Sequence, residues 1–134
     1  MVSGACVTVV NAKGRTIISN GPVYELTKAK TLLNVHGLRV INEQATVDQA
    51  CDFSPELNDD ELKKFICALN ANDYEKSERC ATSIGRTIDC DAYAMTWNRS
   101  NHTRWIHGYK IYVKFGFVEN NSLCLIASIH AAIR

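Results

Sequence analysis

The chain lacks the features that mark several common classes of protein. None of its apolar runs approaches the ~20 residues that a membrane-spanning helix needs. Its start, "MVSGACVTVV", has neither the basic region nor the long apolar stretch of a signal peptide. It contains no phosphate-binding glycine loop and no nucleophile-elbow motif. With no repeat or linker in 134 residues, we expect one soluble, cytoplasmic domain over 1–134.

Recognisable metal and disulfide patterns are missing too, although the chain has 6 cysteines and 4 histidines. No two cysteines have the close spacing of a zinc knuckle, and without a secretion signal we expect free, packed thiols. A site made of His102 and His107 with Cys90 or Cys124 would match no standard ligand spacing. The sequence therefore predicts neither a metal nor a cofactor.

Net charge is small but unevenly distributed. The formal value is +1, so the chain as a whole is not an obvious nucleic-acid binder. Residues 1–75 contain 7 Lys or Arg and 10 Asp or Glu, whereas residues 76–134 contain 8 and 4. The positive surplus therefore lies in the second half.

Hydrophobic periodicity indicates helices mainly in the first half. A helix is predicted over 26–33, after a possible hairpin of residues 5–10 and 14–18. Residues 37–41 are typical of a short strand, and the pattern over 46–51 suggests a short capped helix.

The clearest helix start is "LNDDELKKFICAL", residues 57–69. Asn58 can cap this helix, and Glu61 is placed to bond back to the cap. Leu57 and Leu62 are placed as a hydrophobic staple. The predicted buried stripe is Leu62, Phe65, Ile66 and Leu69.

Residues 70–80 are predicted as a loop with a further helical turn, and strand-like alternation begins after Gly85. The predicted strands cover about 87–97, 105–118 and 123–131. The predicted fold class is α+β, with helices packed on one face of an antiparallel sheet that ends in a meander.

The last two predicted strands can be aligned residue by residue. Alternation puts Lys110, Tyr112 and Lys114 on one face, which we expect to be open to solvent. Matching the apolar sets gives the pairs Val113–Ile129, Phe115–Ala127, Tyr112–His130 and Lys114–Ser128. This register leaves a loop of residues 120–122.

Such a face has the groups needed to cut RNA without a metal. When the neighbouring 2′-hydroxyl is the nucleophile, cleavage requires a base, an acid and cations that balance charge on phosphorus. Lysine, tyrosine and histidine can fill those roles, and cations ~7 Å apart along a strand suit a phosphate backbone. A solvated strand face is the alternative interpretation.

Five short segments occur in an order and spacing that fit this plan. They are "PVYELTKAKTLL" (22–33), "ALNANDYEKS" (68–77), "DAY" (91–93), "IYVKF" (111–115) and "LIASIH" (125–130). Over residues 22–130 the chain thereby resembles the MqsR-type messenger-RNA interferases, toxins of bacterial toxin–antitoxin pairs. The resemblance implies a RelE-like fold and a metal-independent endoribonuclease that cuts single-stranded mRNA sequence-selectively. It also implies inhibition by a cognate antitoxin, expected to carry a helix-turn-helix domain.

The resemblance also implies catalytic roles. The family's functional lysine and tyrosine fall on Lys76 and Tyr112, and a further family lysine is matched by His130. The helical region before the meander would bring Lys76 against the Lys-Tyr-Lys strand. A family glutamine before "DAY" is matched by Cys90, whose thiol cannot reproduce the hydrogen bonds of an amide.

The candidate RNA-binding residues are Lys110, Lys114, Cys90, Ser128 and Arg104. Arg104 belongs to segment 95–108, which is longer than the family's connection and is interpreted either as a basic loop that contacts RNA or antitoxin or as an ordinary insertion. Residues 1–21 have no counterpart. These departures keep open a second hypothesis, a non-catalytic RNA-binding or regulatory module derived from such a toxin.

Overall fold

The computed structural model describes residues 6–10, 16–40, 48, 51–81, 87–118 and 123–132. Within them the helices are α1 (Leu26–His36) and α2 (Asp59–Ala68), and a 3₁₀ turn covers Ala71–Asp73. The strands are β1 (Cys6–Val10), β2 (Thr16–Ser19), β3 (Leu38–Val40), β4 (Tyr74–Ala81), β5 (Thr87–Asn98), β6 (Thr103–Arg104), β7 (Tyr109–Phe117) and β8 (Cys124–Ala131). These elements confirm the α+β class. Neither described helix is long and apolar enough to cross a membrane.

All of these strands belong to one sheet. Its order is β1-β2-β4-β5-β7-β8-β3, and β6 pairs with the end of β5. The predicted first hairpin, the short strand β3 and the meander β5-β7-β8 are confirmed. The prediction of a purely antiparallel sheet is wrong at one edge, where β3 and β8 are parallel. Only Gly37 joins α1 to β3.

Both helices pack on the same face of the sheet. The Asn58 side chain accepts a hydrogen bond from the Glu61 backbone N–H at 2.8 Å, which confirms the predicted cap. The predicted apolar stripe of α2 is buried in a core with α1 and the sheet that includes Leu33, Leu62, Phe65, Ile66, Leu69, Tyr93, Met95, Val113, Phe115, Ile126 and Ile129. Each such side chain contributes about 1.5–3 kcal/mol when it leaves water, so this core holds the helices on the sheet.

Glu61 does not bond back to the helix cap, contrary to the prediction. Its carboxylate is 4% exposed and accepts hydrogen bonds from Trp97 Nε1 at 3.0 Å and Arg99 Nη2 at 3.0 Å. Burial raises the pKa of Glu61, but the bonds from Arg99 and Trp97 outweigh burial and leave it below its ordinary value. Glu61 therefore ties α2 to the end of β5.

The predicted helical turn within 70–80 is present as the 3₁₀ turn Ala71–Asp73, but the rest of the prediction is wrong, because the segment from Tyr74 onward is β4. The strand lies between β2 and β5, and both Ser77 and Glu78 are buried in it. Polar residues alternate on both of its faces, so the segment has no apolar periodicity to indicate a strand. Most of the predicted helix 46–51, the first hairpin turn 11–15 and the loop 120–122 lie outside the described residues.

A buried carboxylate fixes the segment that leads into α1. Asp91 on β5 is fully buried and accepts hydrogen bonds from Val23 N at 2.8 Å, Tyr24 N at 2.9 Å and Ser77 Oγ at 2.6 Å. Burial raises the pKa of Asp91, although the three hydrogen bonds oppose that shift. One side chain thus joins the start of α1, β4 and β5.

We expect Asp91→Asn to destabilise the fold by about 1–3 kcal/mol, because an amide presents one acceptor oxygen where two backbone N–H groups converge. Urea unfolding of the variant and wild type measures the difference. Asp89→Asn is the matched control, since Asp89 lies two residues away and forms a part-exposed pair with Arg79 worth about 0–1 kcal/mol. Equal losses in the two variants would contradict the role given to Asp91.

Candidate functional site

Strand register brings the catalytic candidates onto one face of the sheet. Residues directly opposite on neighbouring strands share a face, and three rows run across β4, β5, β7 and β8. The rows are Lys76–Ala92–Lys114–Ser128, Ala94–Tyr112–His130 and Thr96–Lys110. The alternate positions, such as Tyr93 and Val113, pack in the core with the helices. We call the face that carries these rows, turned away from α1 and α2, the distal face.

The predicted hairpin register is correct for three of its four pairs. Tyr112 lies opposite His130, Val113 opposite Ile129 and Lys114 opposite Ser128. Phe115 lies opposite Ile126 instead of Ala127, because the register shifts between Lys114 and Phe115. This irregularity lets the larger Ile126 enter the core while Ala127 packs elsewhere.

Tyr112 and His130 form a stacked pair on the distal face. Their ring centroids are 4.7 Å apart and the ring planes differ by 16°. His130 Nδ1 lies 2.8 Å from the carbonyl oxygen of Ala131. A carbonyl only accepts hydrogen bonds, so Nδ1 carries a proton and, in the neutral imidazole, Nε2 has the lone pair. In this tautomer, Nε2 is the nitrogen of His130 that can accept a proton.

Lys76 reaches the distal face from a strand, so its predicted location in a helical region is wrong. Its ammonium is 2.7 Å from Glu78 Oε1, and the Lys76 side chain is 43% exposed while that of Glu78 is fully buried. The exposed cation is thus held by a carboxylate beneath the surface. Glu78 was not identified from the sequence as part of the site. Lys76, Glu78 and Cys80 are two residues apart, a spacing that puts side chains on the same face of a strand.

Lys114 is buried, and the expectation that it is open to solvent is wrong. Only 2% of it is exposed, and it lies beside Cys80. A hydrogen bond with Cys90 lowers the pKa of Cys80, burial raises it, and Lys114 lowers it further, so the net shift is downward. The same contact with Cys80 and burial raise the pKa of Cys90. Lys114 therefore supplies positive charge from below the distal face.

The other RNA-binding candidates occupy different environments. Lys110 is exposed and Ser128 is half-buried on the distal face, whereas Cys90 lies there completely buried. Arg104 is not brought to this face. It pairs with Asp73 (Nη1–Oδ1 2.9 Å) and donates to Ala68 O at 3.1 Å on the helix side of the sheet.

Among the described residues, no three His, Cys, Asp or Glu side chains are arranged to hold a metal ion. His102 lies beside Glu61 with 4.0 Å between Nε2 and Oε2, and His107 lies against Trp105. Cys124 is buried in the core. The candidate ligands considered from the sequence are therefore dispersed.

Comparison with known proteins gave no match, whether to protein-family models, to curated proteins or to solved structures. The chemistry of the site therefore has to be inferred from its own geometry.

We predict that neutral His130 carries its proton on Nδ1, because that nitrogen donates to Ala131 O. Long-range ¹H–¹⁵N NMR at mildly alkaline pH distinguishes the two tautomers. His36, exposed in the last turn of α1, gives the reference pattern of a solvated imidazole in the same spectrum. A proton on Nε2 of neutral His130 would contradict the assignment of Nε2 as the atom that accepts a proton.

Proposed function

We propose that the chain is a metal-independent endoribonuclease that cuts single-stranded mRNA sequence-selectively through the 2′-hydroxyl, as the toxin of a toxin–antitoxin pair. A RelE-like fold of the MqsR type is part of this proposal. The observation that supports it is that strand register puts Lys76, Tyr112 and His130 on the same face of the sheet. These are the three residues for which the sequence resemblance implies catalytic roles.

In the proposed reaction the 2′-oxygen forms a bond to phosphorus as the bond to the 5′-oxygen breaks. The products are a 2′,3′-cyclic phosphate and a 5′-hydroxyl. His130 Nε2 exchanges the proton, Lys76 stabilises the charge that develops on phosphorus, and Tyr112 orients the phosphate or assists protonation of the leaving oxygen. Histidine suits the first role because a neutral imidazole has both a proton donor and a proton acceptor.

Buried charge supports the proposed role of Lys76. Glu78 limits the positions that the Lys76 ammonium can occupy, and preorganised charges are the ones that stabilise a transition state without further rearrangement. Lys114 lies in the same row with Ala92 between them. The buried ammonium adds positive potential beneath the position proposed for the scissile phosphate.

The proposed partner is an antitoxin protein with a helix-turn-helix domain, and the proposed location is the cytoplasm. The segment between β5 and β7 offers a surface for such a partner, since Trp105 is 47% and Ile106 81% exposed. Large exposed apolar side chains that lie together are typical of protein-binding surfaces.

The second candidate function is a non-catalytic RNA-binding or regulatory module. The ion pair of Lys76 with Glu78 favours it, because the pair offsets the cation that would otherwise meet a phosphate. This hypothesis predicts RNA binding without cleavage and no growth defect when the chain is expressed.

We expect the purified protein to cut single-stranded RNA in the presence of EDTA. An oligonucleotide with one deoxyribose at the cut site should survive, because its internal nucleophile is missing. Gel electrophoresis with mass analysis of the product ends measures both results. A requirement for a divalent metal would contradict the mechanism, and binding without any cut would favour the second function.

Three substitutions separate the proposed roles. Lys76→Ala should lose at least ~2 kcal/mol of transition-state stabilisation, about 30-fold in rate. Tyr112→Phe should lower the cleavage rate more than RNA affinity, because the ring stays while the hydroxyl is lost. His130→Lys should keep some activity but move the pH–rate profile to higher pH, because lysine titrates at higher pH than histidine.

Single-turnover cleavage across pH 5 to 9 measures these effects. Lys64→Ala is the matched control for Lys76→Ala, since Lys64 is an exposed, ion-paired lysine on α2. An unchanged rate for His130→Ala over this range would remove His130 from proton transfer.

A further inference from the structure

A separate cleft lies where β7 begins and β8 ends. Its volume is about 440 Å³, within the range of about 300–1,000 Å³ that is usual for small-molecule sites. Residues 52–55, the first turn of α2 and the hairpin from 99 to 109 form its walls. It is not part of the rows that define the distal face.

The inner wall of the cleft is rigidly held. Glu61 is only 4% exposed. One of its carboxylate oxygens accepts a hydrogen bond from Arg99 Nε at 3.1 Å, and the other accepts one from Arg99 Nη2 at 3.0 Å. The Arg99 guanidinium also lies over the Phe53 ring, 5.7 Å from its centroid. A planar cation held by two hydrogen bonds to one carboxylate and packed on a ring gives the cleft one flat wall in a fixed position.

The cleft adjoins the proposed catalytic histidine. Asp52, in its lining, accepts a hydrogen bond from Ala131 N at 2.9 Å, and Ala131 O receives His130 Nδ1 at 2.8 Å. On the neighbouring strand the lining residue Tyr109 directly precedes Lys110 of the distal face. Tyr109 lies opposite the core residue Trp97 and shares its face, so the cleft opens on the helix side of the sheet, at the strand ends beside His130. RNA on the distal face would reach the cleft by passing around these strand ends.

The charge and shape of the lining select the class of ligand. Two carboxylates, Asp52 and Glu61, accompany the one permanent cation Arg99, so an additional phosphate would meet net negative charge. Tyr109 is 64% exposed at the rim and offers an aromatic face. Ser100, His102 and Asp52 offer hydrogen-bonding groups. A flat, uncharged ring with polar edges fits this combination.

We propose that the cleft binds one unpaired nucleobase of the RNA whose backbone lies on the distal face. Base stacking on Tyr109 and contacts to the base edge would then give the enzyme part of its sequence preference. This inference rests on the proposed function for its biological meaning. Nucleobase binding itself needs no cleavage, so it can be tested independently.

The test is calorimetric titration of the full chain with each of the four ribonucleosides, and with ribose as the base-free control. We expect at least one nucleoside to bind and ribose not to bind detectably. Tyr109→Ala should weaken that binding roughly 5- to 150-fold, the range for loss of one stacked base, while Tyr109→Phe should largely preserve it.

Trp105→Ala is the matched control, because Trp105 is an exposed aromatic residue of the same hairpin and is not among the residues that line the cleft. Its affinity should equal that of wild type, and thermal unfolding should show that all three variants remain folded. The inference is overturned by absence of binding, by equal binding of ribose, or by equal loss in Tyr109→Ala and Trp105→Ala. Nucleoside binding without RNA cleavage would refute the proposed ribonuclease and leave the cleft assignment standing.

Discussion

The buried Asp91 carboxylate is the contact on which the arrangement of this protein depends. It receives two backbone N–H groups from the segment before α1 and the hydroxyl of Ser77 on β4. Asp91 faces the helix side of β5, while its neighbours Cys90 and Ala92 face the distal side. The contact that seats α1 therefore also fixes the strand that separates Lys76 from Lys114.

The distal face has charged residues both at its surface and buried beneath it. Lys76 and Tyr112 reach the surface, whereas Glu78 and Lys114 are buried in the same neighbourhood. Burying an unpaired ion costs free energy. Contacts with neighbouring groups therefore hold the buried Glu78 and Lys114 side chains in fixed positions. This rigidity is what a site for phosphate chemistry requires.

The sequence was informative where one face of an element is apolar. Alternation in β7 and β8 predicted the Tyr112–His130 pair, and the stripe of α2 predicted its buried side. The sequence failed at β4, where polar residues on both faces hide the strand. It also failed for Arg104, whose partner Asp73 is distant along the chain, and for Lys114, which is buried beside Cys80 of another strand. Such partners are set by tertiary packing and leave no local pattern.

The proposal that the distal face binds RNA is tested most directly by locating RNA on the folded protein. A 2′-O-methyl oligoribonucleotide keeps its bases and phosphates but has no nucleophile, so its complex can be mapped by NMR without cleavage. We expect the largest shifts to fall on Lys76, Lys110, Tyr112 and His130, with little change at Lys64 on the helix side. Shifts confined to the helix side, or no saturable binding, would contradict the assignment of the distal face as the RNA site.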